Sequence, residues 1–284
     1  VKPAPSVARV SETLFNLVPK GLPLIGAWLN HEDTLKAIED TDAMAFTGST
    51  HTGRLLAAHA GRHLKKTVLE LGGSNPFIIL PDADLQRAVI DACYSRFRDA
   101  GQSCNAAKRI VVTQDIAEQF IPLFLAECAK LQTGNPKDPN TTLAPLHRQD
   151  LRQTVHEQVQ DAIAHGAQCL SGGYIPEGES WFYPATVLDQ VNPNCRVWHE
   201  EVFGPVAMIL RADNPDHAVA LANDTPFGLG ACIYTADTAN AWQYAEKIQA
   251  GSVFINRHTS SDLRLPFGGV KASGYGRELS EFGL

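Results

Sequence analysis

Short apolar runs alternate with amphipathic helical segments along most of this chain, and that alternation narrows the folds open to it. "AMAFTG", "KTVLEL", "FIIL", "RIVVT", "PVAMIL", "GACIYT" and "GSVFIN" have strand length and are rich in β-branched and aromatic residues. Between them, "THTGRLLAAHAGRHL", "IAEQFIPLFLAECAKL", "PDHAVALAND" and "TANAWQYAEKI" place apolar residues at helical spacing. "SVARVSETLFNLV" and "HEDTLKAIED" read as earlier helices, with "GLPLI" as a turn into a short strand between them. "DADLQRAVIDACYSRFRDA" is a long helix opened by an Asp cap, and Gly166 closes "DLRQTVHEQVQDAIAHGA". Strands separated by helices build parallel sheets with helices on their faces. The expected class is soluble α/β with more than one sheet.

Bulk properties exclude several function classes. The 284 residues suit one large domain or two smaller ones. A net charge of −7 argues against nucleic acid or an anionic membrane as the main partner. No apolar run approaches the ~20 residues needed to span a bilayer. The opening "VKPAPSVARV" has no apolar core of a signal peptide, and it lacks an initiator Met, so the true start is expected upstream. The six cysteines are scattered with no CxxC pair, so neither a zinc cage nor a disulfide framework is expected. Reduced thiols in a cytoplasm are the simplest reading. The ten histidines are read as structural, and no metal is expected.

Glycine-rich turns stand at the ends of the apolar runs: "FTGSTHTG", "ELGGSNP", "EEVFGPV" and "LPFGGVKASGYGRE". Any one of them alone is only a loop needing conformational freedom. A Gly-Ser-Thr turn opening a helix also offers free N–H groups and a helix dipole to a phosphate. "DAGQSCNAAKR" sets Cys104 among small residues, with Lys108 and Arg109 following as cations that favour a thiolate if they face it.

The order of these segments along one chain resembles the aldehyde dehydrogenase superfamily over essentially the whole sequence. Its most specific part is the pairing of "ELGG" with "GQSC", where Glu70 and Cys104 stand 34 positions apart. The resemblance implies an aldehyde dehydrogenase fold: a Rossmann-like cofactor domain, partial here and without a GxGxxG turn, plus an α/β catalytic domain. It implies the later part of the NAD(P)-binding domain at residues 1–72 and the catalytic domain at 73–272. Residues 273–284 would then begin a segment returning toward the cofactor and a subunit interface. It further implies Cys104 as nucleophile and Glu70 as general base. A thiolate adds to an aldehyde carbonyl, hydride loss leaves a thioester, and a carboxylate activates water to hydrolyse it. The Cys104 N–H is expected to form part of the oxyanion hole.

The same resemblance implies the cofactor contacts, for NAD or NADP. Lys2 corresponds to the lysine that reaches the adenosine ribose. Pro5 stands where NAD-preferring members often carry Glu, which leaves the choice of cofactor open. Gly48 and Ser49 would meet the pyrophosphate, Leu71 the nicotinamide amide, and Glu201 and Phe203 the nicotinamide ribose and ring. "VLELGGSNPFIILPDADL" and "SDLRLPFGGVKASGYGRELSEFGL" look like the succinate semialdehyde dehydrogenase subgroup, so the substrate is expected to carry a second carboxylate. Arg98 is one candidate for that carboxylate; a solvated helix face is the bland alternative. Arg264 is another, with Ser260 or Ser261 as hydroxyl donors; for Arg264 the bland alternative is an ion pair with Asp262.

Two family features are absent from this sequence: a Pro-Trp-Asn segment upstream, and a last strand that pairs with a neighbouring subunit. The 284-residue piece is therefore expected to be inactive alone, and the complete protein to be a homodimer or homotetramer. An enzyme for uncharged aldehydes is the alternative within the fold. A non-catalytic structural protein of the lens-crystallin kind is the alternative outside it, and Cys104 with Glu70 speaks against that. Transfer of the acyl group to coenzyme A is disfavoured by the presence of Glu70.

Overall fold

The early part of the chain folds into a small parallel pair. β1 (Ala43–Thr47) and β2 (Lys66–Glu70) align with Thr47 opposite Glu70. Around them lie α1 (Ala8–Asn16), α2 (His31–Glu39) and α3 (Thr50–Arg62). Asn30 caps α2 by accepting from the Asp33 N–H at 2.9 Å, and Ser49 caps α3 by accepting from the Thr52 N–H at 3.2 Å. This computed structural model describes residues 1–178 and 180–283; Glu179 and Leu284, the last residue of the returning segment, lie outside the described residues.

Residues 71–74 then lead into a second sheet of order β5-β6-β7-β4-β3-β8-β9. β3 (Asn75–Ile79) and β4 (Ala107–Thr113) sit in its middle and are buried along their whole length. That burial is why they read as unbroken apolar runs rather than alternating ones. β6 (Thr186–Asp189), β7 (Val206–Ala212), β8 (Gly230–Tyr234) and β9 (Ser252–Ile255) extend the sheet in parallel, and β5 (Gln168–Ser171) joins one edge antiparallel. The faces are covered by α4 (Leu85–Phe97), α5 (Gln114–Cys128), α6 (Gln149–Ala164), the short α7 (Arg196–His199), α8 (Pro215–Asn223) and α9 (Thr238–Ala245). Asp84 caps α4 by accepting from the Arg87 N–H, and Gly166, at φ 96°, closes α6. Finally β10 (Gly274–Tyr275) returns to pair antiparallel with β2, Gly274 opposite Glu70.

"GLPLI" forms no strand: residues 22–30 are irregular, and Pro23 removes a ladder donor there. β5, β6 and β10 are strands that periodicity does not reveal, because each is too short to show a period. Among the described residues no helix is long and apolar enough to cross a membrane.

The topology fixes where the loops meet. The carboxyl ends of β1 and β2 face the amino ends of β3, β4 and β7, since the chain crosses from one sheet to the other in the residues after Glu70. The glycine turns singled out in the sequence collect along this seam.

Candidate active site

Cys104 hangs in the connection from α4 to β4. After Arg98 the backbone turns sharply: Asp99 (φ 55°), Ala100 (φ 53°) and Gly101 (φ 72°) are all left-handed. For the two residues with a Cβ that costs about 1–2 kcal/mol each, so the surroundings must hold the turn. Arg96 does so. It is fully buried and donates to Gly101 O at 3.1 Å, to Val202 O at 3.4 Å and to Gly204 O. One guanidinium thus ties the Cys104 connection to the loop of Glu201 and Phe203. A Cβ at Gly101 would collide with that guanidinium and with Gly204 O, so glycine is required there. Burial pulls the Arg96 guanidinium down to about 9.

The thiol itself is half-buried. Lys108, buried completely, donates from Nζ to Ser103 O at 2.8 Å and Cys104 O at 3.0 Å, and stands 3.1 Å from Glu201 Oε1. Arg109 points the other way, donating to Ala222 O and Leu221 O with its guanidinium over Trp198. Of the two cations after the cysteine, Lys108 is therefore the one that faces it. Burial pushes the Cys104 thiol above its ordinary value, Lys108 pulls it down, and Glu201 and Glu70 add to the rise. Among the described residues the Cys104 N–H donates to no protein acceptor, which leaves it free for a ligand oxygen. Next door, Asn105 O accepts from Asn75 Nδ2 at 3.0 Å and Thr259 Oγ1 at 2.6 Å.

Glu70 ends β2 and is 2% exposed. Neither carboxylate oxygen has a hydrogen-bond partner of normal geometry among the described residues. Burial lifts its pKa to about 7; Glu278 adds to the rise, while Arg277 and the nearby Gly269 backbone oppose it. The backbone around it is tied down on both sides. Gly48 N donates to Glu70 O at 3.0 Å, and Leu71 N donates to Ser273 O at 2.9 Å. The Ser273 hydroxyl, fully buried, donates to Gly72 O at 2.6 Å and accepts from Gly228 N at 3.0 Å. Gly73 N donates to Glu201 Oε1 at 3.0 Å, and a Cβ on Gly73 would strike Cys104 O. Glu70, Gly73, Cys104, Lys108 and Glu201 therefore form one contiguous group.

The remaining candidates are distributed unevenly. Phe203 is half-buried beside Glu201. Gly48 and Ser49 are exposed at the amino end of α3, whose first turn carries no acidic residue. Leu71 is buried, packed against Gly53 of α3. Lys2 and Pro5 are exposed; Lys2 Nζ donates to Pro3 O, and no hydrogen bond among the described residues links this segment to Gly48 or Ser49. Arg98 is partly open to solvent, paired with Asp99 at 3.2 Å and lying over Tyr94. Tyr94 in turn meets His258 edge-on, which brings the 257–264 segment beside the end of α4. Arg264 is engaged in a two-point contact with Asp262 and is 86% exposed, and Ser261 is exposed beside it. Ser260 differs: its hydroxyl is buried and without a partner, one residue from the Thr259 that bonds Asn105 O.

Sequence reasoning missed Arg96, Ser273 and the orientation of Lys108. Arg96 and Ser273 lie in segments that do carry a signal, "SRFRDAGQSC" and "KASGYG", but their partners are distant in sequence. One histidine pair lies outside the Cys104 group. His59 and His63 are four residues apart in "HAGRH" and converge on Glu39.

Comparison with known proteins shows the family. The chain matches the aldehyde dehydrogenase family over residues 1–284. It is 44% identical to the succinate semialdehyde dehydrogenase [NAD(P)+] Sad of Escherichia coli, over 100% of this chain and 63% of that protein. It is 48% identical to succinate-semialdehyde dehydrogenase [NADP(+)] 1 of Mycobacterium tuberculosis, over 85% of this chain and 53% of that one. The succinic semialdehyde dehydrogenase of Streptococcus pyogenes, solved with NADP+, superimposes with a TM-score of 0.92 at 34% identity, covering 98% of this chain and 61% of that chain. The chain thus spans between 53% and 63% of the length of these relatives. Fold, spacing and site point the same way, and the chain belongs to the aldehyde dehydrogenase family.

Proposed function

We propose that the complete protein oxidises succinate semialdehyde to succinate with NAD or NADP, through a thioester on Cys104. The observation that carries this reading is Glu70: a buried, unpartnered carboxyl with a pKa raised to about 7, on the turn that presses against the Cys104 backbone. A group of that kind is half-ionised at neutral pH and so serves as a general base.

The residues present fit a dinucleotide. The amino end of α3 is exposed, free of acidic side chains and preceded by Gly48, as a pyrophosphate site requires. Glu201, held by Lys108 and Gly73 N, offers carboxylate oxygens to ribose hydroxyls, and Phe203 offers a ring beside it. When bound, the nicotinamide supplies the hydride acceptor.

The chain's own groups do the rest. Glu70 takes the thiol proton, and Cys104 Sγ bonds to the aldehyde carbon as the carbonyl electrons move to oxygen. The Cys104 N–H holds that oxyanion, which collapses as hydride leaves the carbon, so the acyl group stays on sulfur as a thioester. Glu70, its proton released to solvent, then takes a proton from water. The water oxygen attacks the acyl carbon, the carbon–sulfur bond breaks, and the acid departs. The sum is aldehyde, water and oxidised cofactor to acid, reduced cofactor and a proton.

For the far carboxylate, Arg98 and the Ser260 hydroxyl are the groups we assign, with Ser261 and Arg264 as outer members of the same segment. The names of the three relatives, all succinate semialdehyde dehydrogenases, support a semialdehyde acid. A second reading, an enzyme for uncharged aldehydes, is favoured by Arg98 and Arg264 each being paired with an acid already. The test compares kcat/KM for succinate semialdehyde and butanal in the complete protein. A charge-assisted contact of ~1.5–3 kcal/mol predicts that Arg98→Leu raises KM for the charged substrate ~10- to 100-fold and leaves butanal unaffected. Equal kcat/KM for both substrates overturns the acid reading and keeps the aldehyde chemistry. The resemblance to the family supports a cytoplasmic homodimer or homotetramer.

A further inference from the structure

We propose that Glu39, His59 and His63 form a binding site for a divalent transition-metal ion, zinc above all, which clips α2 to α3. None of the three takes part in the aldehyde chemistry above.

The site is built by helix geometry. Residues four apart on a helix share a face, so His59 and His63 stand one above the other, with ring centroids 4.9 Å apart. His63 directly follows α3 and is fixed by the helix end: its N–H donates to Ala60 O at 3.1 Å, and Lys65 N donates to the same oxygen at 2.9 Å. Glu39 is the last residue of α2. It reaches across so that Oε1 lies 3.1 Å from His59 Nε2 and 3.6 Å from His63 Nε2. The ligating atoms of all three residues lie within 4.8 Å of one another. A tetrahedral ion with bonds of ~2.0–2.2 Å separates its ligand atoms by roughly 3.3–3.5 Å. The two measured separations straddle that value.

Chemistry favours the same ion. Two imidazoles and one carboxylate are the donor set of open zinc sites, with nickel, cobalt and copper as competitors. His59 Nε2 also lies 3.2 Å from Leu35 O. A single proton on that nitrogen bonds well to only one of two facing oxygens, whereas an ion between the imidazoles and Glu39 Oε1 is attracted by all three ligands. His59 is the most buried of the three, and Glu39 and His63 stand at the solvent edge, where water completes the coordination. Without an ion the cluster is an imidazole–carboxylate pair, and the experiment separates the two.

The clip lies where it has most to add. Between α2 and α3 the buried apolar contact is Ile38, Leu56 and Ala60, and the three ligands flank that cluster. A metal bound only by the folded state stabilises it by mass action.

The test uses the complete protein with its accessible cysteines alkylated under native conditions and all metal removed by chelation. Titration with Co²⁺ should give one saturable visible d–d band per chain, with no sulfur charge-transfer band. His59→Ala and His63→Gln should each weaken binding by at least about tenfold, and Zn²⁺ should raise Tm in the parent chain but not in the double variant. His63 is solvent-edged, so His63→Gln keeps the fold, which its metal-free Tm checks. Equal binding by the parent and the double variant would overturn the site, and so would the absence of saturable binding by the parent, which would leave only the imidazole–carboxylate pair.

Discussion

Cys104 and Glu70, the proposed nucleophile and base, come from parts of the chain that are built unequally. Cys104 is carried between α4 and β4, over a core in which Phe77, Ile110, Val111, Phe120 and Phe124 are essentially inaccessible. Glu70 ends β2, whose neighbour β1 alternates exposed and half-buried residues along its length. In this chain, which spans 53% to 63% of the length of those relatives, the buried cluster on that side is Ile38, Leu56 and Ala60 among the described residues, and Leu14, Leu17, Ile25, Leu55 and Leu64 are exposed. The difference teaches where rigidity is supplied. The nucleophile side is held by packing and by Arg96. The base side is held by a few long-range hydrogen bonds, from Gly48 N to Glu70 O and from Ser273 to Gly72. The charged form of a buried carboxylate is costly, and within this chain that cost falls on the side with the smaller buried cluster.

Glu70→Gln sharpens this contrast most. In the complete protein, loss of the base should lower the rate of thioester hydrolysis by ~10²- to 10⁴-fold, measured as single-turnover release of acid. Stability should move the other way. A folded pKa of about 7 against 4.5 means that the folded state keeps a proton that the unfolded state loses. The parent chain should therefore lose roughly 3 kcal/mol as pH rises from 4.5 through 7, and the variant should not. Denaturant unfolding at pH 5 and pH 8 checks this; parallel pH profiles for the two proteins would show that the Glu70 site is not desolvating.

Truncations of the two cores test the inequality itself. Phe77→Ala, which removes a ring stacked on Tyr234, should cost ~3–5 kcal/mol in equilibrium unfolding. Leu56→Ala should cost nearer ~2 kcal/mol, the low end for that change, because the thin layer around it can close in. Equal losses would mean that the β1–β2 side is as well packed as the β3–β4 side.

The smallest effect concerns Lys108. Its ammonium is the cation that lowers the Cys104 thiol. Lys108→Met should move the half-maximum of Cys104 alkylation to higher pH and slow alkylation at pH 7 by several-fold. An unchanged pH profile would assign the lysine wholly to holding Glu201.

Much of the architecture was legible because its causes are local. The strands β3, β4, β7 and β8 are apolar for their own length, α4 carries its own Asp84 cap, and α6 its own Gly166. "GLPLI" misled because strand character there lacks a partner to pair with, and β10 stayed hidden because two residues have no period. The site was legible as far as residue type and spacing carry it: a cysteine after "GQS", and a glutamate before "LGG".

By itself the sequence determined the alternation of strand and helix and the glycine turns between them, and the family resemblance named Cys104 and Glu70 as candidates. Tertiary structure alone decided which of two adjacent cations faces the thiol, that Arg264 is engaged by Asp262, that Ser273 and Arg96 anchor the two loops, and that His59 and His63 meet Glu39. The reason is physical. A helix or turn is dictated by neighbours within a few residues, whereas a pKa, a buried pairing or a metal-binding geometry depends on groups brought together from far along the chain, as Gly73 meets Glu201 and Gly72 meets Ser273.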